Sequence, residues 1–173
     1  MKELIDNGGT IKDVAAEHYG QYVRYRKNIE HYISMKYEET IPEGFSLPKV
    51  EVFWGAPGTG KTRLVVERAK ASGNALYQIH FGDKHQVWWD GYKGQKWLLM
   101  DDFEGQMDRT SFLKLTGGYG HLQLWPVKGA MTRLYFTHIF ITSNVNPKEW
   151  YPWITGHKAG ALERRLPNIT EFT

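Results

Sequence analysis

The 173-residue chain has a formal net charge of +3, with 22 basic and 19 acidic residues dispersed along it. That mild basic balance permits a nucleic-acid partner without arguing for one. The absence of cysteine excludes disulfides, thiolate zinc sites and thiol catalysis, and no apolar run approaches the length of a membrane span.

The start, MKELIDNGG, lacks the apolar core of a signal peptide, so a soluble intracellular protein is expected. Residues 1–39 read as helical. Thr10 and Asp13 resemble a capping box leading into Val14, and Tyr22, Tyr25, Ile29, Tyr32 and Ile33 follow helical spacing over Gln21–Tyr37. Such short helices make a thin core and are expected to pack on a neighbouring domain or another subunit. Glu39–Pro48 (ETIPEGFSLP) carries two prolines and a glycine and reads as a connection. The expected boundaries are a helical domain at 1–42, a linker at 43–48 and a second domain at 49–173.

In that second domain an alternating strand, KVEVFW over Lys49–Trp54, precedes a glycine-rich loop, and a helix-forming run, RLVVERAKA over Arg63–Ala71, follows it. Further apolar strands are predicted at Ala75–Ile79, Trp97–Asp101 and His138–Ser143. Asp108 is a fair N-cap for a helix through Thr116 that closes at Gly117 and Gly118. Tyr119–Phe136 reads as a β-hairpin or irregular insert, with Pro126 and Gly129 marking its bend. The alternation of strands and helices predicts an α/β fold with a parallel sheet flanked by helices.

The glycine-rich loop carries the most chemistry. Gly55, Ala56, Pro57, Gly58, Thr59, Gly60, Lys61 and Thr62 (GAPGTGKT) form a complete phosphate-binding loop in its strand–loop–helix setting. The glycines let successive N–H groups face inward as a nest for phosphate oxygens, and the following helix adds its positive end. Lys61 is expected to reach the β- and γ-phosphates and Thr62 to ligate Mg2+, which makes ATP and Mg2+ the expected cofactors. Asp101 and Asp102 end an apolar strand, where ligands collect in an open α/β sheet, and adjacent residues of an extended chain point to opposite sides. One is expected to serve the metal and the other the attacking water, in an order the motif leaves open. Asn144, after HIFITS, either orients water and reads the γ-phosphate or caps the turn before Pro147. Arg164 and Arg165 are either solvated surface charges or an arginine finger acting on a neighbouring subunit's phosphate. Trp125 is either a base-stacking platform or core.

Taken in order, GAPGTGKT, WWDGYKG (Trp88–Gly94), WLLMDDFEG (Trp97–Gly105), PVKG (Pro126–Gly129) and FITSN (Phe140–Asn144) resemble the helicase domain of the replication-associated proteins (Rep) of circular single-stranded DNA viruses of the circovirus and cyclovirus types. Those are superfamily-3 helicases of the AAA+ group. The resemblance covers about Lys49–Thr173. It implies a P-loop AAA+ core with a β-hairpin insert, preceded by a helical oligomerisation collar. It also implies ATP-driven translocation on single-stranded DNA by a ring, usually a homo-hexamer, during rolling-circle replication in the host cell nucleus. By the same resemblance Lys61, Thr62, Asp101, Asp102 and Asn144 are catalytic and metal residues. Lys128 is the hairpin lysine that grips the DNA backbone, and Arg164 or Arg165 is the finger. The His-apolar-His motif and the Tyr with a Lys three residues later that mark the family's endonuclease are absent, so no nuclease activity is expected of this chain. Two other readings are a P-loop nucleotide or small-molecule kinase and a non-catalytic nucleotide-binding assembly module. The ordered motifs have no reason to occur in a kinase, and the acidic pair with Asn144 argues against an inert module.

Overall fold

The helical spacing of the first residues produces three helices: α1 (Lys2–Asp6), α2 (Ile11–Glu17) and α3 (Tyr19–Glu39). This is a computed structural model that describes residues 1–7, 11–39, 47–82, 87–128, 130–154 and 157–173, in two units, Met1–Gly44 and Phe45–Thr173. Ile5, Val14 and Ile29 form the small core of the first unit, with Leu4, Ile11, Tyr22 and Tyr32 packed against it. The Tyr32 hydroxyl donates to Asp6 Oδ1 at 2.8 Å and ties α3 to the end of α1. α3 is longer than its apolar spacing predicts, and it kinks at Tyr25, where φ is −121° and ψ 21°. The proposed cap Thr10 and most of the predicted linker lie outside the described residues.

The second unit is built on β1 (Lys49–Gly55), α4 (Lys61–Ser72), β2 (Leu76–Phe81), β3 (Val87–Trp88), β4 (Trp97–Met100), α5 (Arg109–Thr116), β5 (Trp125–Val127), β6 (Ala130–Thr132), β7 (His138–Ser143), α6 (His157–Glu163) and β8 (Asn168–Phe172). A six-stranded sheet runs β3-β2-β4-β7-β1-β8, parallel except for β3. This is the mixed α/β fold, with a mainly parallel sheet, that the alternation of strands and helices predicted. Side chains alternate across the pleat as strand geometry requires. Val50, Val52, Ile79, Leu98, Met100, Ile139 and Ile141 face a large core with Trp89, Phe103, Phe112 and Trp150. Phe53, Leu99 and Phe140 face the other way, onto Val65 of α4. Val52, Leu98, Ile139 and Ile141 have no exposed surface. Each such side chain contributes about 1.5–3 kcal/mol relative to an exposed one, so the middle strands anchor the unit.

The sheet order sets up the site. β7 lies between β1 and β4, with Trp54 opposite Ser143 and Ile141 opposite Met100. The C-terminal ends of β1, β7 and β4, far apart in sequence, therefore open side by side on one edge.

Two strands were not foreseen. β3 is two residues long, and β8 (NITEF) is mostly exposed and polar on the edge beside β1, so neither carries an apolar alternation. The predicted hairpin is present as β5 and β6, antiparallel with Val127 opposite Ala130. Pro126 sits within β5 rather than at the bend, which falls at Lys128; Gly129 lies outside the described residues. Trp125 resolves as core. It is 4% exposed, and its indole N–H donates to the Gly120 carbonyl at 2.7 Å.

Candidate functional site

The end of β1 needs glycine for a steric reason. At Gly55 φ is +144°, and a Cβ would lie 2.0 Å from the Phe172 carbonyl oxygen on β8. Only a residue without Cβ lets the two backbones approach this closely. The loop then turns into α4, whose N-cap, Gly60, takes a left-handed conformation. α4 starts at Lys61, so the first unpaired N–H groups of a twelve-residue helix face the loop.

Lys61 is 5% exposed. Its Nζ donates to the carbonyls of Gly55 at 2.9 Å and Ala56 at 2.7 Å, and to Asn144 Oδ1 at 3.1 Å. Thr59 Oγ1 stands 3.4 Å away. A nearly buried ammonium is tolerated because these oxygens saturate its donors. The loop is thus held around a positive charge that faces the helix start.

The acidic pair divides. The Asp101 carboxylate accepts from the Thr62 hydroxyl at 2.6 Å and from the Thr142 hydroxyl at 2.6 Å, both at Oδ1. Gln78 Nε2 of β2 lies 3.4 Å from its Oδ2. Asp102 instead accepts from Asn144 Nδ2 at 3.2 Å. The two side chains diverge, but extended alternation is not the cause. β4 stops at Met100, and Asp102 takes φ +48°, a left-handed value that Asp tolerates better than most residues with a Cβ. Gln106 donates its side-chain N–H to the Asp102 carbonyl at 2.8 Å and steadies the turn.

Asn144 bridges the halves of the site, its oxygen toward Lys61 and its amide nitrogen toward Asp102. It is not the cap before Pro147. That part is taken by Asn146, whose Oδ1 accepts from the Lys148 N–H at 3.0 Å. Ser143, fully buried, bonds the Val145 carbonyl at 2.7 Å and accepts from the Trp150 indole at 3.0 Å, which locks the strand end that presents Asn144.

Five of the predicted residues, Lys61, Thr62, Asp101, Asp102 and Asn144, therefore meet in one hydrogen-bonded network. Thr62 and Asp101 offer hard oxygen ligands. Among the described residues no group of three or more His, Asp or Glu could hold a metal alone. That donor set suits Mg2+, which takes one or two protein oxygens and completes its shell with phosphate and water. Thr142 and Gln78 were missed from the sequence, because no spacing rule links residues on β7 and β2 to a carboxylate after β4.

The other predicted residues stand apart from the network. Lys128 is at the hairpin tip with its side chain 87% exposed and its Nζ 3.8 Å from Asp90. Asp90 also accepts the Lys128 backbone N–H at 2.6 Å, and the Trp89 N–H donates to the Pro126 carbonyl at 3.0 Å. The tip is therefore pinned through its backbone, while the lysine side chain lies exposed beside Asp90. After α6, Arg165 packs over the Tyr119 ring at 6.0 Å and fills the space beside Gly117. Arg164 is exposed.

The model of the RNA helicase family matches residues 52–145, from the middle of β1 to just past Asn144. The chain is 33% identical over 158 residues to the replication-associated protein of human associated cyclovirus 1, covering 91% of this chain and 54% of that protein. It is 35% identical to the replication-associated protein of beak and feather disease virus, over 84% of this chain and 46% of that one. The corresponding protein of porcine circovirus 2 matches at 27% identity over 98% of this chain and 51% of its own length. The chain thus spans about half the length of these relatives. With the family model covering the phosphate loop, the acidic pair and the bridging asparagine, the chain belongs to the RNA helicase family and is similar over most of its length to viral replication-associated proteins.

Proposed function

We propose that this chain is an ATP-driven helicase motor that assembles into a ring and translocates on single-stranded DNA during viral rolling-circle replication. The observation that carries the reading is the network joining Lys61, Thr62, Asp101, Asp102 and Asn144 at one sheet edge. The relatives' description as replication-associated supports the replicative setting. DNA as the track, a homo-hexameric ring and the host cell nucleus follow from the resemblance. On this reading residues 1–42 are the oligomerisation collar, 43–48 the linker and 49–173 the ATPase. Among the described residues no helix is long and apolar enough to cross a membrane.

Each residue then has a part. The loop N–H groups and the α4 N-terminus bind the phosphates of ATP. Lys61 exchanges the Gly55 and Ala56 carbonyls for β- and γ-phosphate oxygens. Bound Mg2+ supplies positive charge to those oxygens, and Thr62 with Asp101 is the pair that would hold it. Asp101 has this part because its carboxylate is already bonded to Thr62. Asp102, turned toward Asn144, orients the attacking water and takes its proton, while Asn144 couples that water's position to Lys61. Arg164 supplies the finger to the neighbouring subunit, since Arg165 is engaged by Tyr119 and Gly117. Lys128 holds the DNA backbone as a point charge, so binding is expected to be salt-sensitive and nearly independent of sequence.

The test is ATP turnover with and without single-stranded DNA or RNA, alongside a mass measurement of the assembly. An oligomer stimulated by DNA, and silenced by Lys61→Ala, is the expected result. Turnover that survives Lys61→Ala removes the assignment. Stimulation by RNA alone makes the track RNA. Phosphorylation of an added acceptor by a monomer makes the chain a kinase, and an inert oligomer makes it an assembly module.

A further inference from the structure

The acidic pair is held by a residue to which neither motif nor family comparison assigned a role. β4 pairs with β7 only as far as Met100 opposite Ile141, and there the backbone ladder stops. Thr142, the next residue of β7, takes over. Its hydroxyl donates to Asp101 Oδ1 at 2.6 Å and accepts from the Asp102 N–H at 3.1 Å. Its carbonyl accepts from the Phe103 N–H at 2.8 Å. One fully buried residue thus bonds three successive residues just where Asp102 takes its left-handed φ of +48°.

The order of donors matters. The Asp102 N–H points at the Thr142 oxygen, and the Thr142 O–H points at Asp101. The hydroxyl is oriented by this chain, and each bond polarises the next. Thr62 donates to the same carboxylate oxygen. Asp101 is therefore held between two hydroxyls, one on α4 and one on β7. The turn that swings Asp102 toward Asn144 is fixed by the same Thr142 oxygen. Removing that oxygen leaves the part-buried Asp102 N–H without this acceptor and frees one side of the Asp101 carboxylate.

We infer that Thr142 is the positioning residue of this site: its hydroxyl sets Asp101 toward the metal-binding Thr62 and Asp102 toward Asn144, so it governs Mg2+ affinity and turnover without touching nucleotide. The inference rests on the ATPase reading above. Residues that orient metal ligands from behind are worth about 10–100-fold in metal affinity or activity.

The experiment uses the full chain and compares wild type, Thr142→Val and Thr142→Ser. It measures kcat and KM for ATP, the Mg2+ titration of a fluorescent ATP analogue's binding, and the same analogue's binding in EDTA. For Thr142→Val, kcat is expected to fall about 10–100-fold and the half-saturating Mg2+ concentration to rise about tenfold. Analogue binding in EDTA should hold, because Lys61 and the loop are untouched. Thr142→Ser, which restores the hydroxyl, should return both quantities to near wild type. An unchanged Mg2+ titration and kcat in Thr142→Val overturns the inference, as does a Thr142→Ser protein equally impaired. So does loss of EDTA binding in step with a lowered melting temperature. Thr142→Ala is the second variant if Thr142→Val does not fold, and failure of both to fold makes the residue structural and overturns the inference. A wild-type protein with no Mg2+-dependent nucleotide binding fails the ATPase reading itself. An active wild type with an indifferent Thr142→Val fails only the inference about Thr142.

Discussion

At the residue scale the two adjacent aspartates have distinct surroundings, and their substitutions should be separable. Asp101 is bonded to Thr62 and Thr142, Asp102 to Asn144. Asp101→Asn should raise the Mg2+ concentration needed for nucleotide binding by at least tenfold. Asp102→Asn should leave that binding near wild type and lower kcat by about 10²–10⁴-fold, the usual contribution of a group that handles a proton in the transition state. Equilibrium binding and steady-state turnover on both variants check this, and identical defects would erase the division of labour. The sequence alone could not make this division. Alternation along an extended strand predicts only that neighbours diverge. Which carboxylate faces α4 depends on where β4 ends and on the turn at Asp102.

At the element scale, α5 and the β5–β6 hairpin carry two expectations. Asp108 caps α5 and accepts from the Ser111 N–H at 3.0 Å. Burial pushes its carboxyl upward, but hydrogen bonds from Ser111 and Thr110 and the charge of Lys114 outweigh that and hold it below the ordinary aspartate range. With the folded value depressed, the unfolded chain binds more protons as the group titrates. The stability Asp108 contributes is therefore complete above its unfolded value of about 3.9 and is lost as pH falls through the folded one. Asp108→Ala should cost about 1 kcal/mol near neutral pH, with the gap to wild type closing below about pH 4 in urea titrations. In the hairpin, the tip is pinned to Asp90 through its backbone while the Lys128 side chain is exposed. Lys128→Ala should therefore leave basal ATPase within about twofold, weaken single-stranded DNA binding and lessen its salt dependence by roughly one counterion. Filter-binding isotherms at several salt concentrations check it. Loss of basal ATPase together with DNA binding would make Lys128 structural.

At the scale of the whole molecule, the Lys61 network gathers at one edge of the sheet, and on the proposed reading it is one side of a nucleotide site. Among the described residues of the chain, no arginine takes part in the Lys61 network. Arg164 is the exposed member of the pair after α6, and Arg165 is spent on Tyr119 and Gly117. If Arg164 acts across an interface, Arg164→Ala and Lys61→Ala proteins, each inactive alone, should recover part of the activity when co-assembled. In those mixed rings some sites pair an intact loop with an intact finger. No recovery in rings confirmed as mixed by mass would remove the trans arrangement.

The eight loop residues were legible because they are contiguous, so their chemistry survives without the fold. The central strands were legible because burial on both faces leaves an apolar signature. β8 was not, since an exposed edge strand needs only backbone pairing with β1 and its side chains carry no pattern. Trp125 was ambiguous because an aromatic ring serves a core and a stacking platform equally well until its burial is known. The sequence by itself determined that this chain carries a complete phosphate-binding loop on an α/β frame, with acids and an amide at strand ends. Only the tertiary structure decided their meeting. The order β4-β7-β1 joins Thr62 to Asp101 across 39 residues and Lys61 to Asn144 across 83. Strand order is set by packing over the whole core, and no local spacing encodes it.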